Sequence, residues 1–391
     1  MSRLKVDNIR HNSATSDALV LSNDGSVAIA TCTATTFNTT TFNSTNIVNS
    51  TQLSHRNICI NGADMMVAQR GTSTTGLQNT GGVYTIDRFA HRRGGTWANA
   101  LWKDEQVNSG TGLFRKALKK TTTTAEGSPA ASGKFVMIGH YLEAGDSMAA
   151  FGDGTAEAKP FTVSFYVKAS IATTYVLHVV AAHLSTEKAY MKQFTVNSAN
   201  TWERKTCTIP AITNSIGTVT GSDNGAGLRI HWVLDAPTNT SSQAADTWFT
   251  FTGSDYGYPS GQGPTGYANT LNATFELGGV QIEAGSVATE LEHRVHADEL
   301  RRCQRYFEIV TGCIRAFDYS NYIGVTAPFK VTKRDEPTNT LVNLGLNNGV
   351  SFQSFIGGMD AICKQEGCFI QFNSGSGGYS YGFRIHSVAE L

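Results

Sequence analysis

Two stretches, "FTVSFYVKA" at 161–169 and "LRIHWVLD" at 228–235, alternate apolar and polar residues almost throughout. A strand sends successive side chains to opposite faces. Phe161, Val163, Phe165 and Val167 therefore share one face, and Thr162, Ser164 and Lys168 the other. Leu228, Ile230, Trp232 and Leu234 make the same stripe. Further strand candidates follow at intervals: "KFVMIGHYL" (134–142), "TYVLHVVAAH" (174–183), "KQFTV" (192–196), "WERKTCTI" (202–209), "TWFTFTG" (247–253) and "ATFELGGVQIE" (273–283). One buried face per strand, with no helix between strands, predicts two antiparallel sheets packed face to face. About eight strands with long loops suit a jelly roll, and the fold class is all-β.

The flanks differ in texture. At 18–30, "ALVLSNDGSVAIA" places two short apolar runs around Asn23-Asp24-Gly25, a turn that supplies positive φ, and predicts a β-hairpin. The next segment, "TATTFNTTTFNSTNIVNST" (33–51), spaces Phe37, Phe42 and Ile47 five residues apart. A step of five gives neither a helix face nor a strand face, so one chain cannot bury the pattern on itself. Two readings remain: a Ser/Thr/Asn linker, or a slim shaft in which copies of the chain intertwine. After the sandwich, "HADELRRCQRYFEI" (296–309) has near-helical spacing of Ala297, Leu300, Cys303 and Phe307 and predicts a helical joint. "FKVT", "TLVNLGL", "CFIQFN" and "YGFRIHSV" then return to β texture. The expected domains are residues 1–56, 57–294 and 295–391.

Lys+Arg and Asp+Glu number 31 each, and only 16% of residues are charged. That leaves no basic footprint for nucleic acid and no block of charge for an anionic membrane. The seven cysteines are odd in number and scattered, which excludes a disulfide framework and favours buried free thiols. Cys363 and Cys368 lack the second pair that a structural zinc site needs, so no metal or cofactor is expected. The start "MSRLKVDNIRHN" has no apolar h-region and no run of eighteen apolar residues spans a membrane, so release by lysis from a bacterial cytosol fits better than secretion.

Catalytic motifs are weak. "GDSM" (145–148) opens like an esterase nucleophile block, but no late Asp-x-x-His supplies a base, and a loop between strands is expected there. "GQGPTG" (261–266) matches a phosphate loop by letter only, with no strand before it and no helix after. Glu143, Asp146, Asp153 and Glu157 crowd one segment without evidence that any two face each other across a cleft. The chain is expected not to be an enzyme. Aromatics in Gly/Ser/Asn surroundings are more informative: Tyr256, Tyr258 and Tyr267, Tyr319 and Tyr322, Tyr379 and Tyr381. Loop tyrosines of this kind stack on sugars or on partner surfaces, or pack on their own domain. Trp97 and Trp102 of "TWANALW" are outside candidates.

Three blocks resemble bacteriophage tail-fibre proteins, especially those of marine phages. "NICINGADMMVAQRG" (57–71), followed by "YTIDRF" (84–89), resembles the start of a carbohydrate-binding-like jelly roll. "GGVQIEAGSVATELEHR" (278–294) resembles its closing strand and "CQRYF" (303–307) the linker beyond, with Glu290 where such sequences often carry proline. "MSRLKVDNI" resembles fibre N-termini. The resemblance implies a virion component, usually a homotrimer, that docks on a tail adaptor or nozzle protein through its N-terminus. It implies attachment to a host surface glycan or receptor. On that basis Phe37, Phe42 and Ile47 are expected to form interchain layers of a trimeric shaft. The alternatives are a glycan-degrading tailspike or esterase, and a purely structural tail or head appendage.

Overall fold

The computed structural model describes residues 56–78, 81–131, 133–238, 243–253, 256–315, 322–343, 363–373 and 380–391, together with three short upstream strands. Two compact units are present, Met1–Ser50 and Thr51–Leu391. In the first, β1 (Asn8–Ile9), β2 (Leu19–Leu21) and β3 (Val27–Ala28) form an antiparallel sheet in which Leu21 pairs with Val27. Asn23-Asp24-Gly25 and the shaft candidates Phe37, Phe42 and Ile47 lie outside the described residues.

The second unit is mostly β, with two short helices among the described residues. Its strands begin with β4 (Ser73–Leu77), β5 (Val83–Ile86), β6 (Phe89–Gly94), β7 (Leu101–Asn108), β8 (Lys116–Thr124) and β9 (Phe135–Glu143), after which comes helix α1 (Ala144–Phe151). They continue with β10 (Phe161–Ala169), β11 (Thr174–Ala181), β12 (Lys188–Thr195), β13 (Glu203–Ile209), β14 (Ala226–Asp235), β15 (Trp248–Thr250) and β16 (Thr274–Ala284). A six-stranded sheet runs β13-β10-β16-β8-β7-β4 and a seven-stranded sheet β15-β12-β11-β14-β9-β6-β5. Their named ladders are all antiparallel. The chain crosses between sheets at β4–β5, β6–β7, β8–β9, β9–β10, β10–β11, β12–β13, β13–β14 and β15–β16, an interleaving that makes a jelly roll rather than two stacked meanders.

Both stripes read from the sequence face the core. Phe161, Val163, Phe165 and Val167 of β10 meet Leu228, Ile230, Trp232 and Leu234 of β14, all fully buried in one cluster. The Phe165 ring sits edge-on to Trp232 at 5.7 Å. Five strands between Ser73 and Thr124 were not expected. Their inward positions are often polar: Asp104 of β7, Lys120 of β8 and His91 of β6 are all buried. Lys120 Nζ donates to Asp104 and lies 2.9 Å from His91 Nδ1. Burial lowers the Lys120 pKa and raises that of Asp104, each opposed by the partner's charge.

Beyond the sandwich lie α2 (His296–Gln304), β17 (Phe307–Arg315), β18 (Tyr322–Pro328), β19 (Thr338–Asn343), β20 (Cys363–Lys364), β21 (Gly367–Asn373) and β22 (Ser380–Val388). They form two three-stranded sheets, β17-β22-β19 and β18-β21-β20. The helix ends at Gln304 rather than at 309, because Tyr306 and Phe307 are anchored to the sandwich. Cys363 pairs with Cys368 across a tight ladder. Cys59, Cys207 and Cys303 are free thiols and buried, Cys368 is buried as well, and no metal-holding cluster occurs among the described residues. No helix among them is long and apolar enough to cross a membrane.

Candidate functional site

The three resemblance blocks meet in one place. Asn57 Oδ1 accepts the N–H groups of Cys59 and Ile282, both at 3.0 Å, and its Nδ2 donates to the Val280 carbonyl at 3.1 Å. This side chain stitches the first strand-like segment to β16 before any ladder begins. Gly62 follows, and a Cβ there would sit 2.4 Å from Cys59 Sγ and 2.5 Å from the Val280 carbonyl oxygen. Gly62→Ala is accordingly expected to lower stability by about 1–3 kcal/mol through overpacking, measurable by urea unfolding.

Asn61 adopts φ 59° and fastens the same loop to β5–β6: its Nδ2 donates to the carbonyls of Val67 and Asp87 at 2.9 and 3.1 Å. Gln69 Nε2 bridges the Asp87 carboxylate and the Phe307 carbonyl, the latter at 2.8 Å. Arg88, fully buried, stacks 3.4 Å from the Tyr306 ring centroid, pairs with Glu390 and donates to the Tyr141 carbonyl at 2.5 Å. Glu143, at the end of β9, accepts two bonds from Arg305 at 2.6 and 2.7 Å and one from the Tyr306 hydroxyl at 2.6 Å. These motif residues form a joint that clamps the sandwich to β17 and β22.

That joint orients the C-terminal sheets. Phe307 pairs with Val388 at the joint, and Arg315 pairs with Ser380 eight positions away, about 27 Å at 3.4 Å per residue. In the neighbouring sheet, Tyr322 pairs with Asn373. The connections 316–321 and 374–379 therefore both leave from the end of the C-terminal sheets farthest from the joint. Tyr322 and Tyr381 are strand positions at that end, paired with Asn373 and Ile314. Tyr319 and Tyr379 fall in the two connections, outside the described residues. The connection after Asn343, which pairs with Phe383, also starts toward this end.

The sandwich tyrosines separate differently. Tyr258 and Tyr267 are fully buried, which removes them as surface contacts. Their loop folds back over the outer face of the seven-stranded sheet, where Tyr258 joins Met137, Val176, Val180 and Val233 in a second core. Tyr267 instead enters the main core and its carbonyl accepts the Thr122 hydroxyl at 2.9 Å. Trp97 and Trp102 are buried as well, edge to face at 5.2 Å. Tyr256 alone of this loop's three is half-buried, ringed by Phe135, Phe251, His178 and His231 at 4.8–5.4 Å. Burial raises its pKa, and nearby Arg229 and Arg92 oppose the rise.

The "GDSM" segment is helical, not a loop: it forms the body of α1, which follows β9 directly and ends at Gly152 with φ 70°. Ser147 is nevertheless no exposed nucleophile. It is fully buried and its hydroxyl donates to Asp153, while His183 Nε2 lies 3.5 Å from Asp153 Oδ2. A serine triad needs the histidine between serine and carboxylate, and here the carboxylate is in the middle. Burial raises the Asp153 pKa to about 7 and lowers that of His183. Because the folded form holds its Asp153 proton from about pH 4 to 7 while the unfolded chain has released it, this group's contribution falls as pH rises through that window. Asp153→Asn is isosteric and cannot ionise. It should gain roughly 2–4 kcal/mol over the parent at pH 8, at about 1.4 kcal/mol per pKa unit, and almost nothing at pH 4, as read by urea unfolding at both.

No protein-family model and no curated protein matches the chain. Among solved structures it is similar to the family 11 carbohydrate-binding module from Clostridium thermocellum in complex with a β-1,3-1,4-mixed-linked tetrasaccharide. That similarity has 13% identity and TM-score 0.27, covering 56% of this chain and 99% of that one. The enzymatically active domain of bacteriophage CBA120 tailspike protein 4 is similar at 9% identity and TM-score 0.29, over 59% of this chain and 21% of that one. The tandem CBM22-1–CBM22-2 domain from Paenibacillus barcinonensis Xyn10C is similar at 9% identity and TM-score 0.26, over 82% and 91%. Similarities this remote decide neither ligand nor activity.

Proposed function

We propose that the chain is the subunit of a homotrimeric phage tail fibre, a non-catalytic virion protein that attaches to glycan on the host surface. The observation that carries this reading is the C-terminal architecture: one end of β17 and β22 is locked to the sandwich by the joint, and the tyrosine-bearing connections leave from the other. A stiff mount with Tyr322 and Tyr381 toward its far end suits a contact tip, to which Tyr319 and Tyr379 of the adjoining sequence would belong. In this reading Tyr256 is a secondary contact on the sandwich. Residues 1–56 dock on a tail adaptor or nozzle protein and form the shaft, with Phe37, Phe42 and Ile47 as interchain layers. Three chains per fibre then turn weak individual contacts into firm adsorption.

The test is competition. Purified full-length protein should block adsorption of the phage that carries it, and the Tyr322→Ala/Tyr381→Ala variant should block at least about tenfold less well, the loss of roughly 1.4 kcal/mol, with unchanged melting. Equal blocking by both proteins would remove the tip from the mechanism. No blocking by the parent would favour a purely structural appendage, and turnover of host polysaccharide would favour a tailspike enzyme.

A further inference from the structure

An open groove of about 940 Å³ lies between the β7–β8 connection and residues 293–296, on the sandwich and apart from the tip. Its volume is at the upper end of the range for small-ligand sites, about 300–1,000 Å³, and too small for a folded partner. Arg115 and Lys116 stand on one wall. Among the described residues neither has a carboxylate partner: Lys116 Nζ bonds Asn108 Oδ1 at 2.6 Å, and Arg115 Nη1 reaches only the Met66 sulfur at 3.7 Å. The acidic group present, Asp64, is already committed. It accepts the Arg115 backbone N–H at 2.9 Å and faces His293 Nδ1 at 2.8 Å. Arg294, at the base, is occupied with Glu299 and the Asn57 carbonyl. Two cations are thus left over for a ligand.

The rest of the groove is not bare charge. Leu113 on one wall and Val295 on the other are 51% and 65% exposed, among the few large apolar side chains in the open. A ligand with acidic groups, hydroxyls and an apolar carbon face matches both features, whereas free phosphate would leave the aliphatic walls wet.

We propose that this groove binds an acidic saccharide, a short run of uronate-type sugars whose carboxylates meet Arg115 and Lys116 while their C–H faces lie on Leu113 and Val295. The assignment rests on the glycan-attachment reading above and gives it a substrate class. It makes the sandwich a second contact point, so that the fibre recognises charged glycan along its length as well as at its end.

The experiment is calorimetric titration of the full chain with a trigalacturonate, with a neutral galactose trisaccharide, and with triglutamate. The expected result is binding of the uronate alone, weakening as salt rises. The Arg115→Ser/Lys116→Ser double variant should lose roughly tenfold or more in affinity, about 1.4 kcal/mol, with unchanged melting. Equal binding of the neutral sugar, equal binding of triglutamate, an unaffected double variant, or no uronate binding at all would each overturn the proposal. If the protein still blocks adsorption in that event, the groove assignment fails and the attachment reading stands. If blocking is lost too, both fail.

Discussion

Glu143→Ala will detach the C-terminal sheets from the sandwich without unfolding either. Glu143 is buried and accepts both nitrogens of the Arg305 fork and the Tyr306 hydroxyl. Alanine leaves the Tyr306 hydroxyl, itself buried, without its acceptor, and the Arg305 charge without its counter-ion. An orphaned buried hydroxyl costs about 1–3 kcal/mol. Removing one partner of a buried ion pair costs about 3–5 kcal/mol, less here because the Arg305 side chain is 36% exposed. A loss of about 3 kcal/mol at the joint is expected, seen as a separate low-temperature transition and as new proteolytic cleavage within 295–306. Glu143→Gln keeps an acceptor for Tyr306 and should lose about half as much. A single transition within about 0.5 kcal/mol of the parent would mean that the joint is held elsewhere, by Arg88 and Glu390.

Lys120→Met should destabilise the sandwich itself by about 3–5 kcal/mol. The ammonium is wholly enclosed between Asp104 and His91, and methionine fills its stem but leaves the Asp104 carboxylate buried with no cation. Adding Asp104→Leu removes that orphan and should restore most of the loss, since an apolar pair of similar volume often replaces a buried ion pair at little cost. Urea unfolding of the two single variants and the double variant measures the coupling directly. Equal losses for Lys120→Met alone and in the double variant would show that packing, not the buried charge, sets the effect.

That same triad explains why three of the five strands between Ser73 and Thr124, β6, β7 and β8, are illegible in the sequence. In β7 the buried positions are Trp102 and Asp104, and in β8 they include Lys120 and Thr122, so charge sits where the pattern demands apolar residues. By contrast β10 and β14 carry apolar residues at every inward position, and there alternation alone placed the core. Even in those strands the outward residues Thr162, His231 and Val233 are buried, because connections cover the sheets' outer faces. No local period encodes that cover. That cover also encloses Tyr258, while Tyr267 enters the main core, and the Gly/Pro-rich surroundings of both look identical to those of half-buried Tyr256.

The helix at 144–151 is illegible for a different reason. "AGDSMAAF" is too short to show a period, and its one usable signal is the glycine that follows it. The joint was visible only as resemblance. Asn57 and Asn61 are far from Asp87 and Arg305 in sequence, and their shared purpose emerges only through the bonds to Ile282 of β16, to the Asp87 carbonyl and to Glu143 at the end of β9.

The most direct test of the fibre account is the solution mass, by light scattering, of the full chain and of the chain lacking residues 1–56. The account predicts three times the mass of one chain for the first, and a weakened or lost trimer for the second. A single-chain mass for both would contradict it, returning the Phe37, Phe42 and Ile47 repeat to a linker and removing the three-fold multiplication on which attachment rests.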